Sequence, residues 1–240
     1  MTHTSSSPTV QIRGLLPKIA AGAFLAFVAP GGILLLGWGR LDWWEGWAMI
    51  VLLGVTTLVS RGILILRHPD LALERIRFTE AEGAKTWDTR LMPVMAIFGP
   101  MLIWLVAGLD RRWSASAVLP PGVEIAAFVC VALTYAFSAW AMVANRFFSA
   151  VVRIQRERGH SVIRSGPYRI VRHPGYAGAM LGFLFTPVAL GSMWALIPAV
   201  LTALVVVART ALEDATLQAE LPGYRDYSRE TRYRLLPGIW

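Results

Sequence analysis

The chain has 240 residues, of which 55% are hydrophobic and only 16% charged, with a mean hydropathy of +0.53. Soluble domains carry about 25% charged residues, so this composition excludes a disordered chain, a nucleic-acid-binding basic domain and an ordinary soluble enzyme, and leaves an all-α polytopic membrane protein. The net charge of +8 therefore marks segments beside anionic lipid, not a nucleic-acid partner.

The Ser/Thr-rich start predicts a flexible tail over residues 1–16. The apolar run that follows exceeds a signal-peptide core of about 7–15 residues and meets no small-x-small cleavage site, so it reads as a mature helix. Four apolar stretches, 19–39, 47–66, 91–109 and 122–144, have 19–23 residues each. About 20 residues cross the hydrocarbon core, so four transmembrane helices are expected within 17–144. The first contains Pro30-Gly31-Gly32, the second carries Arg61 near its end, and the fourth holds Glu124 at its start. Cys130, the single cysteine, reads as a small buried hydrophobe and permits no disulfide within the chain. Residues 71–78 read either as a short interfacial helix with its arginines toward phosphates or as a solvated connector.

The last apolar region is split. Residues 177–190 and 193–208 are separated by Gly191-Ser192. At ~1.5 Å per residue neither arm alone crosses ~30 Å, so the helices are expected to extend up to Pro174 and down to about Leu217. A tight helical hairpin is predicted, with Pro187 and Pro198 as kink positions; one long helix would have to run through Gly191. The expected total is about six helices, with residues 145–240 forming a loop, the hairpin and a C-terminal tail.

Basic residues orient this arrangement. With the N-terminus inside, nineteen of the 23 Lys and Arg fall on inside segments, Arg40, Arg111 and Arg112 fall outside, and Arg61 lies in a helix. That bias predicts cytoplasmic N- and C-termini. Trp38, Trp43, Trp44, Trp47 and Trp113 fall at proposed membrane edges, where indoles settle. The inside segments hold most of the Arg, His and Tyr, so chemistry is expected on the cytoplasmic face.

Candidate residues cluster after Asn145. Pro174 suits the first turn of a helix and pushes His173 toward an extended conformation. His173 then stands at a helix N-terminus fit for a carboxylate or phosphate, or simply in an interfacial loop near headgroups. Gly178-Ala-Met-Leu-Gly182 fits close helix packing and also thins a face for a flat ligand. Arg209 and Glu213 stand four apart, on one helix face and able to pair; they are functional candidates at the membrane edge, or charges of a helix emerging into water. Elbow, Walker, zincin and dinucleotide motifs are absent, and the four scattered histidines argue against a histidine-rich metal cluster.

Gly166-Pro-Tyr-Arg-Ile-Val-Arg-His-Pro-Gly-Tyr176, the hairpin, Arg209-x-x-x-Glu213-Asp214-x-x-Leu217 and Tyr224-x-x-Tyr227 occur in that order. In order and spacing, residues 145–240 resemble the isoprenylcysteine carboxyl methyltransferase and phospholipid methyltransferase superfamily of integral membrane enzymes. Glu74-Arg-Ile-Arg77 and Ala84-Lys-Thr-Trp-Asp88 are similar to the inner loop of uncharacterised bacterial members, which implies a bacterial plasma membrane. The resemblance implies a cytoplasmic S-adenosylmethionine pocket without a Rossmann domain. Gly166, Tyr168, His173, Pro174 and Tyr176 would form one wall and Glu213 another. Asp214 stands where the family often has Glu. Asn145 and Arg209 are candidates, by position, to orient the acceptor; no catalytic side chain is assigned. The acceptor implied is lipid-like or prenylated, with a carboxylate or an amine, though upstream differences from the eukaryotic enzymes set prenylcysteine itself apart. Two alternatives stay open: an NADPH-dependent membrane reductase of the sterol type, and a non-catalytic membrane protein of the same fold.

Overall fold

A computed structural model describes Gly14, residues 16–78 and residues 81–240. The expected tail lies, through Arg13, outside the described residues. The described chain is all-helical: α1 (Leu16–Trp38), α2 (Trp44–Arg67), α3 (Pro69–Ile76), α4 (Asp88–Trp113), α5 (Pro121–Ala144), α6 (Pro174–Ala189), α7 (Leu196–Glu220) and α8 (Tyr224–Glu230). Four of them, α2, α4, α5 and α7, are long and apolar enough to cross a membrane. Their outward faces carry Val51, Val55 and Leu58 on α2, Val129 and Leu133 on α5, and Leu201 and Leu204 on α7, all exposed. A continuous apolar exterior of this kind belongs in lipid.

The connections between the long helices sort to two ends of the bundle. One end of the bundle gathers the α1–α2, α4–α5 and α6–α7 connections. There Ser192 Oγ donates to Asp110 Oδ2 at 2.5 Å, Met193 N–H donates to Ser116 Oγ at 3.0 Å, and Arg111 lies 3.9 Å from Glu45. Arg40, Arg111, Arg112 and the tryptophans belong to this end; Trp44, Trp47 and Trp113 are exposed, whereas Trp43 is buried. The remaining loops and both short helices gather at the other end.

The hairpin has the expected form. Pro174 opens α6 at its first turn, and Gly191, at φ +67°, turns the chain between the arms. Pro187 lies within the end of α6. Pro198 falls in the first turn of α7, where its missing N–H costs no helical bond, so it makes no kink. The small face of α6 packs on α5: a Cβ at Gly182 would meet Thr134 Oγ1 at 3.2 Å, and one at Gly178 would strike the Ser138 side chain. Close packing is one use of this motif, and Gly178 also lines a cavity.

Two features depart from the sequence reading. Residues 71–78 form a helix shifted upstream, α3, which starts at Pro69; its Arg75 turns inward to a cavity while Arg77 stays exposed. In α4, Pro93 is followed by a π-helical stretch, Val94–Phe98. Proline removes a ladder donor, and an extra residue in the turn bulges the helix. Met95 and Ala96 of the bulge line the same cavity. Cys130 is half-buried in α5.

Candidate functional site

The cavity lies between α2, α4, α5, α6 and α7, at the end of the bundle opposite the α4–α5 connection, and has a volume of about 600 Å³. Small-molecule sites run to roughly 300–1,000 Å³. Tyr168, His173, Tyr176, Glu213, Asn145 and Arg209, six of the eight residues singled out from sequence, line it. Gly166 and Pro174 do not. Gly166, at φ +60°, starts the turn that carries Tyr168, and Pro174 starts α6; both act through the backbone.

The hub of the site is Asp214, fully buried on α7. Arg172 donates to it twice, Nε to Oδ1 at 2.8 Å and Nη2 to Oδ2 at 3.1 Å. Arg234 Nε and Gln218 Nε2 donate to Oδ2 at 2.9 and 2.8 Å, and the Tyr224 hydroxyl donates to Oδ1 at 3.0 Å. A buried carboxylate is tolerable only with this many donors. His173 Nε2 lies 3.2 Å from Asp214 Oδ1. A carboxylate only accepts, so Nε2 carries the proton and Nδ1 is the ring atom left for other work. Nδ1 stands 4.0 Å from Glu213 Oε1. The C-terminal segment clamps the same strip from outside: Arg172 N–H and His173 N–H donate to the carbonyls of Tyr233 and Arg234, both at 2.9 Å.

Neighbouring Glu213 has a different environment. Its side chain keeps 22% of its surface, lines the cavity, and accepts from the Tyr176 hydroxyl at 2.5 Å. Tyr176 in turn stacks on His173, centroids 5.9 Å apart and planes within 9°. Consecutive residues on one helix thus divide the labour: Asp214 faces the core and Glu213 the cavity. The arms of the hairpin run antiparallel, which brings His173, at the start of α6, to Glu213, near the end of α7.

Arg209 and Glu213, able to pair by their spacing, form no salt bridge. Arg209 instead grips Asp88 at the start of α4, Nε to Oδ1 at 2.6 Å and Nη2 to Oδ2 at 3.0 Å, and donates to the Ala150 carbonyl at 3.1 Å. The buried Asp88 offers both carboxylate oxygens to the guanidinium at once, a bidentate charge-assisted arrangement. Asn145 is also committed: its Nδ2 donates to the Tyr168 hydroxyl at 3.0 Å and its Oδ1 accepts from Phe147 N–H at 2.8 Å. Both residues shape the wall. Asp88, Arg75 and the hub role of Asp214 were not singled out from sequence. The only signal for the first two was their presence in the inner-loop motifs.

Outside the spanning helices, burial pushes the Tyr168 and Tyr224 hydroxyls well above the ordinary phenol range. They stay protonated, Tyr224 as donor to Asp214. His160, another wall residue, is pushed down to about 4, first by burial and then by Arg158 and Arg153.

Residues 125–219 match the model of the isoprenylcysteine carboxyl methyltransferase family. That stretch, less than half of the chain, is similar to the isoprenylcysteine carboxyl methyltransferase family. The match takes in α5, the cavity loop, the hairpin, His173, Glu213 and Asp214. Among curated proteins, the chain is similar to a "Probable protein-S-isoprenylcysteine O-methyltransferase" of Oryza sativa subsp. indica and to one of the same name from Oryza sativa subsp. japonica. Each is 45% identical over 47 residues, which is 20% of this chain and 25% of the relative. The chain thus spans about a quarter of the length of the curated relatives it matches. Four membrane-length apolar helices, together with the match to a family model over 125–219, indicate an integral membrane protein.

Proposed function

We propose that the chain transfers a methyl group from S-adenosylmethionine to an amphiphilic or lipid-like acceptor, at a carboxylate or an amine, on the cytoplasmic face of the membrane. One observation carries the reading. Within the family-matched region, Glu213 and the Asp214-anchored His173 meet on one cavity of small-molecule size.

The residues present fit this cofactor. A cationic sulfonium with an amino group, a carboxylate and ribose hydroxyls calls for an exposed acid, a ring nitrogen and free helix N–H groups. Glu213 supplies the acid, for the amino group or ribose hydroxyls. The His173 ring and the Gly175 and Tyr176 N–H groups in the first turn of α6 supply the pole for the methionine carboxylate; Pro174 has no N–H, and Ala177 N–H already donates to the His173 carbonyl. Tyr176 holds Glu213, and Asp214 acts one step back by holding His173 and Arg172. When bound, S-adenosylmethionine supplies a methyl already activated on sulfur. What is left to the chain is to aim an acceptor and exclude water. A carboxylate acceptor brings no proton to remove, whereas an amine does.

Two observations support this acceptor class: the cavity is lined by residues of membrane-length helices, and the relatives' names specify an S-isoprenylcysteine. Neither the family match nor the relatives point toward an NADPH-dependent reductase. Calorimetric titration of purified protein with S-adenosylmethionine and with NADPH is the test. Saturable binding of the first alone is expected. Binding of NADPH alone would return the reductase, and binding of neither a non-catalytic protein. Methyl label should then appear in lipid-soluble product of membrane extracts; label confined to water-soluble molecules would count against the acceptor class.

A further inference from the structure

Four arginines line the cavity: Arg75, Arg153, Arg172 and Arg209. Three are neutralised. Arg153 pairs with Glu74 and Glu157, Arg172 with Asp214, and Arg209 with Asp88. Arg75 makes no ion pair among the described residues. Its one hydrogen bond there runs from Nη1 to the Phe148 carbonyl at 2.9 Å, and its guanidinium lies 5.5 Å from the centre of the Phe148 ring. A guanidinium has five N–H donors, so most of this fork is unspent.

The surroundings sharpen the asymmetry. Glu74, next to Arg75 in the chain, is already engaged, accepting from Ser149 Oγ at 2.6 Å and Arg153 Nε at 3.3 Å. Burial, followed by the like charge of Arg61, pushes the Arg75 guanidinium down to about 10, which leaves it a cation at neutral pH. A cation held at an apolar cavity with no ion pair among the described residues is costly. A ligand that supplies the opposite charge would offset that cost.

We infer that Arg75 anchors the acceptor by a carboxylate headgroup and so selects acids over amines, with the acceptor's apolar tail against Met92, Met95 and Pro100. This rests on the methyl-transfer reading. One carboxylate oxygen is held by Arg75 and the other forms the new O–CH₃ bond. The methyl–sulfur bond breaks as that bond forms, its electron pair stays on sulfur, and no proton moves. Sulfonium and carboxylate both become neutral. The ester has lost the charge that Arg75 holds, so its grip weakens and product leaves. The fork geometry of an arginine suits the planar carboxylate better than an ammonium does.

The test uses the parent, Arg75→Gln and Arg75→Lys in detergent, with three probes: an S-prenylated cysteine as free acid, its carboxamide, and dodecyl phosphate. The parent should bind the acid at least about 10-fold more tightly than the amide, the scale of one charge-assisted hydrogen bond. Arg75→Gln should erase that preference and raise KM for the acid far more than it lowers kcat. Arg75→Lys should keep part of the preference. S-adenosylmethionine titration of each variant serves as the folding control and should be unchanged. A parent with no preference for the acid overturns the inference, as does Arg75→Gln that keeps it. Dodecyl phosphate binding at Arg75 where the acid does not would assign the residue to a lipid phosphate and overturn it too. Failure of the parent to bind S-adenosylmethionine would instead remove the methyl-transfer reading, while the acid-over-amide comparison still reports on Arg75.

Discussion

Arg209 and Asp88, 121 residues apart, join α7 to the start of α4 by two hydrogen bonds of 2.6 and 3.0 Å. The same carboxylate accepts from Val152 N–H at 2.8 Å, and the same guanidinium holds the Ala150 carbonyl. This one pair therefore fixes three walls of the cavity: α4, α7 and the loop that follows α5.

Removing half of that pair should cost much more than removing all of it. Asp88→Asn leaves Arg209 buried and uncompensated, a loss of roughly 3–5 kcal/mol. Asp88→Asn with Arg209→Met removes both charges and should recover part of that. Thermal unfolding in detergent checks it: the double variant is expected to melt above the single Asp88→Asn. If the single variant melts like the parent, the pair does not organise the cavity.

His160 gives the protein a pH-dependent loss of stability. Its ring lies against Phe147, centroids 4.6 Å apart, and its Nδ1 accepts from Gln155 N–H at 3.3 Å. Burial and the cations Arg158 and Arg153 outweigh Glu157 and lower it from 6.5 to about 4. The unfolded chain therefore takes up the proton first. Stability is full above pH 6.5 and falls as pH drops from there to about 4. Unfolding of the parent and His160→Gln at pH 7.5 and pH 5 reads this out. The parent should lose more on acidification than the variant; equal losses would remove His160 as the cause.

What could be read from the chain was what its periodicity and spacing encode. The spanning helices follow from runs of apolar residues, and the hairpin follows from Gly191 between two short runs. His173 and Glu213 fall together because an antiparallel hairpin returns the chain to the face it left. Asp88 was not legible in the same way. It lies three residues before the apolar run of α4, and nothing local ties it to Arg209; a nearer acid, Glu213 at four residues, made the plausible partner. Only the packed bundle decides that Arg209 turns to α4 and Glu213 to Tyr176. The inward turn of Arg75 is similar. On α3 alone an arginine facing phosphates is as natural, and the cavity that claims it is made by other helices. The π bulge after Pro93 likewise depends on how α4 fits α7 at Gly99, where a Cβ would meet Thr202 at 2.5 Å.

Orientation is testable at two exposed positions. Nineteen of 23 basic residues fall on segments assigned inside, and the structure gathers Arg40, Arg111 and Arg112 at the end opposite the cavity. On the proposed topology Ser228, beside the cavity end, faces the cytoplasm, and Val118, 93% exposed in the α4–α5 connection, faces out. In intact cells an impermeant thiol reagent should label Val118→Cys and spare Ser228→Cys until the membrane is opened. The reverse pattern would invert the protein and place the cavity outside.

The cofactor assignment turns on His173 and Glu213. Tyr176 donates to Glu213 at 2.5 Å, and a glutamine keeps a carbonyl oxygen for that bond. Glu213→Gln should therefore preserve the fold and remove only the charge facing the cavity. His173→Ala removes the ring whose Nδ1 faces Glu213 and leaves Asp214 with its arginine, glutamine and tyrosine donors. A charge-assisted hydrogen bond is worth roughly 1.5–3 kcal/mol, or about 10- to 150-fold in affinity. Each variant is expected to bind S-adenosylmethionine more weakly by a factor in that range, with helical content and membrane insertion as in the parent. Asp214→Asn is the contrasting case: it weakens the hub for five side chains and should lower thermal stability as well as binding. Calorimetry on the three variants separates these roles. If Glu213→Gln and His173→Ala both bind S-adenosylmethionine like the parent, these side chains are interfacial charges and the pocket has another purpose.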